Sequence, residues 1–150
     1  YCAAPLNLAK AVSKLQGQYT SGASSIAQKA AEAAYTGSQE CVAEMRKAFE
    51  RRRDLVVRMA REIPGLKVNV PMGAFYLFPE VSAYLGKSFG DRRIETSADL
   101  AMYLLEEGHV ATVDGGAFGA PGYIRLSYAT SDEQLTEAMR RIAAALAKLV

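Results

Sequence analysis

The chain has 150 residues, half of them apolar and 23% charged, a composition ordinary for a soluble protein and sufficient for a sizeable core in one or two compact units. Eighteen Lys and Arg against 16 Asp and Glu leave a net charge of +2 with both signs interspersed, so neither nucleic acid nor an anionic membrane surface is an expected partner. No uninterrupted apolar run is long enough to span a bilayer, and no charged-then-apolar leader is present.

Tyr1-Cys2-Ala3-Ala4 reads as the tail of a strand, and a start at tyrosine suggests a piece of a longer polypeptide. Pro5 opens an amphipathic stretch in which Leu6, Leu8, Ala9, Val12 and Leu15 recur at helical spacing until the Gln16-Gly17-Gln18 break. Thr20 to Ser24 form a polar hinge. Ser24 or Ser25 can cap a second helix, where Ile26, Ala27, Ala30, Ala31 and Ala34 make a small-residue face for close packing. From Ser38 a third helix of about two dozen residues is expected, with Val42, Met45, Phe49, Leu55, Val56, Met59 and Ile63 on one buried stripe. Arg51-Arg52-Arg53 within it reads as a solvated face, and Pro64-Gly65 stops it.

Beyond that stop the period changes. Leu66 to Val70 alternates like a short edge strand, and Ala74 to Phe78 is a second strand ended by Pro79. Residues 81 to 94 read as loop with a short helix. Ser97 caps a helix carrying Leu100, Met102, Leu104 and Leu105, closed by Gly108. His109 to Val113 and Tyr123 to Ala129 are further strands, and Ser131 opens a terminal helix to about Leu149. The chain is therefore helical in its first third and an α+β unit of short strands, with helices on one face, in the remainder. The helical third would leave apolar surface uncovered if it stood alone, so most of its partner domain is expected to be missing.

Cys2, Cys41 and the single His109 lack metal-ligand spacing, and reduced thiols suit a cytoplasmic protein. His109 has no acid or nucleophile beside it, and Ser127 and Ser131 stand in no nucleophile elbow, so hydrolase chemistry has no support.

Arg125 carries the strongest chemical signal. It interrupts the apolar run Tyr123-Ile124-Arg125-Leu126-Ser127-Tyr128-Ala129, directly after the small-residue loop Asp114 to Gly122. A guanidinium on such a strand is expensive to bury unless an anion meets it, and its fork of donors matches a carboxylate in two parallel hydrogen bonds. Two readings stand side by side: a group that carries anion binding into a site, or an arginine paired to a structural Asp or Glu or lying on a solvated sheet face.

Several stretches in order resemble the C-terminal part of a class I aminotransferase of the aspartate aminotransferase family, the fold-type I pyridoxal-phosphate enzymes. They are Tyr1 to Pro5, Gln16-Gly17-Gln18-Tyr19-Thr20-Ser21 with Ser25-Ile26-Ala27-Gln28, Pro71-Met72-Gly73-Ala74-Phe75-Tyr76-Leu77-Phe78-Pro79, and Gly116-Ala117-Phe118-Gly119 followed by Tyr123 to Ala129. The resemblance covers nearly the whole chain. It departs at Val113-Asp114-Gly115-Gly116, where the family often has Pro-Gly; an Asp there can make its own side-chain turn, and its charge could tune a carboxylate site.

The resemblance implies the α/β fold-type I architecture, with residues 1–37 the end of a large cofactor domain, 38–64 a long interdomain helix and 65–150 a small C-terminal domain. It implies an aminotransferase of the aspartate kind that passes an amino group to 2-oxoglutarate through pyridoxal 5'-phosphate, as a homodimer; an aromatic aminotransferase or carbon-sulfur lyase would keep the same features. A free-standing α+β interaction module is the reading from another class. Arg125 becomes the residue that holds the substrate α-carboxylate. Phe75 and Tyr76 fall near the substrate entrance, where core packing is their other reading. Thr20 and Ser21 fall near the dimer interface, where hinge duty explains them equally, and Arg92 and Arg93 read chiefly as loop. The family's cofactor-binding residues lie before Tyr1 and no lysine here has their context, so no catalytic residue is expected in the chain, which alone should neither bind the cofactor covalently nor turn over.

Overall fold

The computed structural model describes residues 3–150, and the chain divides into two compact units, Tyr1–Val42 and Ala43–Val150. In the first, α1 (Leu6–Tyr19) follows Pro5, whose fixed φ suits a helix entry, and ends where the Thr20 and Ser21 amides both donate to the Gln16 carbonyl. Ser24 precedes α2 (Ser25–Thr36) but its hydroxyl accepts no capping bond; the Gln28 side chain donates to the Ala23 carbonyl instead. No residue of α1 or α2 is buried, so the small-residue face expected to pack closely lies open. Of the expected strand tail, Tyr1 and Cys2 lie outside the described residues, and Ala3 and Ala4 have no regular structure.

The second unit holds the core. Of the expected stripe on helix α3 (Glu40–Arg61), Val56 and Ile63 just beyond the helix are buried and Phe49, Leu55 and Met59 are partly buried, whereas Val42 and Met45 stay exposed; Val57 and Ala60, outside that stripe, are buried as well. The buried cluster meets this helix from Phe49 onward.

A three-stranded antiparallel sheet in the order β1-β5-β4 packs against this core, with β1 at Tyr76–Leu77, β4 at Val113–Asp114 and β5 at Ile124–Ser127. Leu77 lies opposite Leu126, and the same register resumes where Glu80 bridges Tyr123. Pro79 has no N–H to donate, which interrupts the ladder between them. The edge strand expected over Leu66 to Val70 shrinks to a single bridge, Lys67 with Glu80, whose amides and carbonyls exchange both hydrogen bonds. The strand expected from His109 forms only at Val113 and Asp114.

Residues 81 to 94 contain more order than expected: a single 3₁₀ turn at Ser82–Tyr84, then a hairpin of β2 (Ser88–Phe89) and β3 (Arg92–Arg93). Its two-residue loop puts Gly90 at φ 56°, a conformation glycine takes without steric cost.

Helix α4 (Ser97–Glu106) starts from Thr96 rather than Ser97. The Thr96 hydroxyl accepts from the Asp99 amide while the Asp99 carboxylate accepts from the Thr96 amide, a reciprocal capping box. Ser97 is instead buried, its hydroxyl accepting from the Gly122 amide at 3.2 Å. The left-handed residue after α4 is His109, at φ 53°, so it turns the chain instead of opening a strand. Helix α5 (Asp132–Leu146) is capped by Ser131 as expected and buries Leu135, Met139, Ile142, Ala145 and Leu146 on one face. The buried Tyr103 hydroxyl donates to the Ala145 carbonyl at 2.8 Å, joining α4 to α5.

Candidate functional site

The period of two along β5 sends Ile124 and Leu126 into the core and leaves Arg125 half-buried on the opposite face. In the sheet Val113 lies directly opposite Arg125, and Tyr76 lies opposite Ser127, two residues along on the same face. Tyr76 is thus a diagonal neighbour within reach of Arg125. Its ring centroid is 4.4 Å from the guanidinium carbon, and the ring of Phe118 lies 4.3 Å from that carbon. Because β1 and β4 flank β5, one aromatic reaches Arg125 from each side: Tyr76 from β1, Phe118 from the turn that follows β4. Each such contact is worth about 0.5–2 kcal/mol depending on desolvation.

No ion pair joins Arg125 to a carboxylate among the described residues. The contrast with other arginines is sharp. Arg51 meets Asp132 at 2.8 Å, Arg53 meets Asp54 at 2.7 Å and Arg140 meets Glu137 at 2.8 Å. An aromatic ring attracts the cation but accepts none of its in-plane N–H groups as a carboxylate does, so the fork of Arg125 remains available to an anion.

The turn that carries Phe118 follows Asp114. Its carboxyl is held below the ordinary carboxylate range by the Ser97 hydroxyl first, then by the Gly116 amide, with the Ala117 amide adding to them. This requires close approach: a Cβ on Gly116 would stand 2.7 Å from Asp114 Oδ2, and one on Gly115 would stand 2.5 Å from the carbonyl oxygens of Ala120 and Tyr123. The side-chain turn expected of Asp114 is not closed by a capping hydrogen bond: its Oδ1 is buried without a partner, and no ion pair joins it to Arg125 among the described residues.

Phe75 stacks on Phe49 of α3 at 5.8 Å and touches Tyr76 at 4.5 Å, one ring removed from the guanidinium. Next to it opens a groove of about 310 Å³ lined by residues including Arg46, Arg53, Met72, Ala74 and Tyr128. The groove is separate from Arg125, and its Arg53 is already committed to Asp54. Arg92 and Arg93 are likewise occupied, with Glu106 and Glu95. The triple-arginine segment is less solvated than its sequence suggests: the side chains of Arg52 and Arg53 are only 25% and 23% exposed, and Arg51 and Arg52 both reach Asp132 at the start of α5. Phe118 has no assigned part in the sequence reading, although an aromatic closing a small-residue turn one strand from Arg125 was a usable signal.

Pyridoxal phosphate would need a lysine amine in an enclosed site with polar groups for its phosphate and ring nitrogen. Lys10, Lys14 and Lys47 are exposed on helices, Lys29 pairs with Glu32 and Lys67 with Glu80 on the surface, Lys87 donates to the Leu149 carbonyl, and Lys148 sits beside Phe89. The described residues do not form such a site.

Residues 1–142 match the family model described as aminotransferase class I and II. A probable aspartate/prephenate aminotransferase from Rhizobium leguminosarum bv. phaseoli is 50% identical over 143 residues, which covers 95% of this chain and 36% of that protein. The crystal structure of the aspartate aminotransferase from Rhizobium meliloti aligns with a TM-score of 0.85 at 46% identity, over 99% of this chain and 37% of that one. An aromatic aminotransferase from Pyrococcus horikoshii OT3 aligns with a TM-score of 0.63 at 41% identity, over 73% of this chain and 27% of that one. The chain spans little more than a third of the length of the first two relatives. With its motifs, its sheet and these likenesses in agreement, the chain belongs to the class I and II aminotransferases and has the α/β architecture of their fold-type I members.

Proposed function

We propose that the full-length protein is a pyridoxal-phosphate-dependent aminotransferase of the aspartate kind, moving the amino group of an amino acid to 2-oxoglutarate, and that this chain grips the substrate α-carboxylate through Arg125. The observation that carries the reading is a guanidinium held by the rings of Tyr76 and Phe118 with no carboxylate partner among the described residues. Its two parallel N–H donors fit one carboxylate in its plane. Tyr76 and, behind it, Phe75 form the substrate-side wall. Residues 1–37 belong to the cofactor-bearing domain, 38–64 connect, and 65–150 form the mobile small domain that brings Arg125 to the substrate and excludes water during proton transfer. The working assembly is a cytoplasmic homodimer.

In the full-length holoenzyme, Arg125→Lys is expected to raise KM for amino and 2-oxo acid substrates by about 10-fold or more, since a point charge cannot reproduce the fork. Unchanged KM values would overturn the assignment. The chain of 150 residues by itself is expected to form no borohydride-reducible adduct with pyridoxal phosphate at a defined lysine. A single mapped adduct at stoichiometric yield would contradict the view that the cofactor site lies elsewhere in the polypeptide. The likeness to an aromatic aminotransferase gives a second reading of the donor, because the same arginine would serve it. Comparing kcat/KM for aspartate and phenylalanine in the full-length enzyme separates the two.

A further inference from the structure

We infer that Phe118 is a positioning residue for substrate binding: with Tyr76 it fixes the orientation of the Arg125 guanidinium, so that the donor fork is already set before a carboxylate arrives. The inference rests on the proposed role of Arg125 and adds to it a residue with no role assigned so far.

Arginine has a long, rotatable side chain, and an unpaired guanidinium on a strand face would ordinarily sample many orientations. Here rings brought from both neighbouring strands lie 4.4 and 4.3 Å from its central carbon. Such contacts restrict the cation through its faces and leave its N–H edges uncommitted. A carboxylate that binds then meets a fork whose orientational freedom is already spent, which is how preorganisation raises affinity without adding a contact to the ligand.

The support behind Phe118 is continuous. Its ring meets Phe78 edge-on at 6.3 Å and 83°, and Phe78 stacks on Tyr123 at 5.4 Å and 13°. Its backbone is set by the 3₁₀ turn Gly115–Phe118, which Asp114 opens and Gly119 closes at φ 74°. Yet Phe118 is itself 50% exposed in this chain, so it is not part of the buried cluster of Ala43–Val150. A half-exposed phenylalanine, backed by two further rings and laid against an unpaired arginine, is accounted for by the arginine. Tyr76 is less diagnostic, because it also belongs to the β1–β5 ladder.

The test is a set of variants of the full-length holoenzyme, with steady-state kinetics on the amino acid it turns over fastest. Phe118→Ala is expected to raise KM about 10-fold while kcat stays within about 2-fold and the unfolding midpoint is unchanged, and Phe118→Tyr, which keeps the ring, is expected to restore KM. Arg125→Ala is the reference. If it raises KM and Phe118→Ala does not, the positioning role is wrong while the carboxylate assignment survives. If Arg125→Ala itself leaves KM unchanged, the carboxylate assignment fails and the inference with it. A Phe118→Ala defect that appears only in kcat, or that Phe118→Tyr fails to rescue, also overturns the inference.

Discussion

Helices α1 and α5 carry similar messages in sequence and opposite outcomes in structure. Both place apolar residues at helical spacing, yet α5 buries Leu135, Met139, Ile142, Ala145 and Leu146, whereas Leu6, Leu8 and Leu15 of α1 are 70%, 55% and 61% exposed. The same division runs through the whole chain, with no buried residue on α1 or α2 and a continuous core in Ala43–Val150. An amphipathic stripe therefore states which face seeks cover, and covering it takes other elements.

The largest expected contrast is in amide hydrogen exchange of the chain in isolation. Amides of α4 and α5 should exchange orders of magnitude more slowly than those of α1 and α2, since protection follows buried tertiary packing. Equal protection in the two sets would break the comparison. Next in size, Leu104→Ala, at a fully buried site on α4, should destabilise by about 2–5 kcal/mol in denaturant unfolding, whereas Leu15→Ala on α1 should fall within about 0.5 kcal/mol.

Smaller effects sharpen the comparison at helix ends. Thr96→Ala removes a reciprocal cap and should cost about 1 kcal/mol, measured by the same unfolding curves, while Ser24→Ala, whose hydroxyl caps nothing, should change little. The smallest effect is expected at low pH. Arg140 first, then Arg141, hold the Glu137 carboxyl at about 2. A depressed carboxyl stabilises the folded state above its unfolded value and loses that contribution as pH falls toward the folded one. Glu137→Gln should therefore flatten the stability curve slightly in that acid window at low ionic strength. The difference should vanish in high salt, because the pair is exposed.

What was legible in the sequence depended on how local the cause is. Ser131 before Asp132 and the α5 stripe announced that helix, because caps and periodicity act within a few residues. The edge strand over Leu66 to Val70 reduces to one bridge because its pairing depends on Glu80, a partner outside the segment, and the β2–β3 hairpin is hard to read because Ser88-Phe89 and Arg92-Arg93 carry no apolar alternation. Only Gly90-Asp91 signalled it. At the candidate site, Arg125 stood out as a cation inside an apolar run, and Tyr76 lay in a recognisable motif. Phe118 offered a weaker signal, an aromatic closing a small-residue turn, since its partner is an arginine on the following strand.

By itself the sequence determined the family, the order of helices and strands, and the isolation of Arg125 on an apolar strand, because motif order, capping and binary pattern are written along the chain. Tertiary structure alone decided that Ser97 is buried against the Gly122 amide instead of capping α4, and that Arg125 meets two rings in place of a carboxylate. Those outcomes depend on strand register and on groups brought together from distant positions, where packing and electrostatics act through space and leave no local pattern to read.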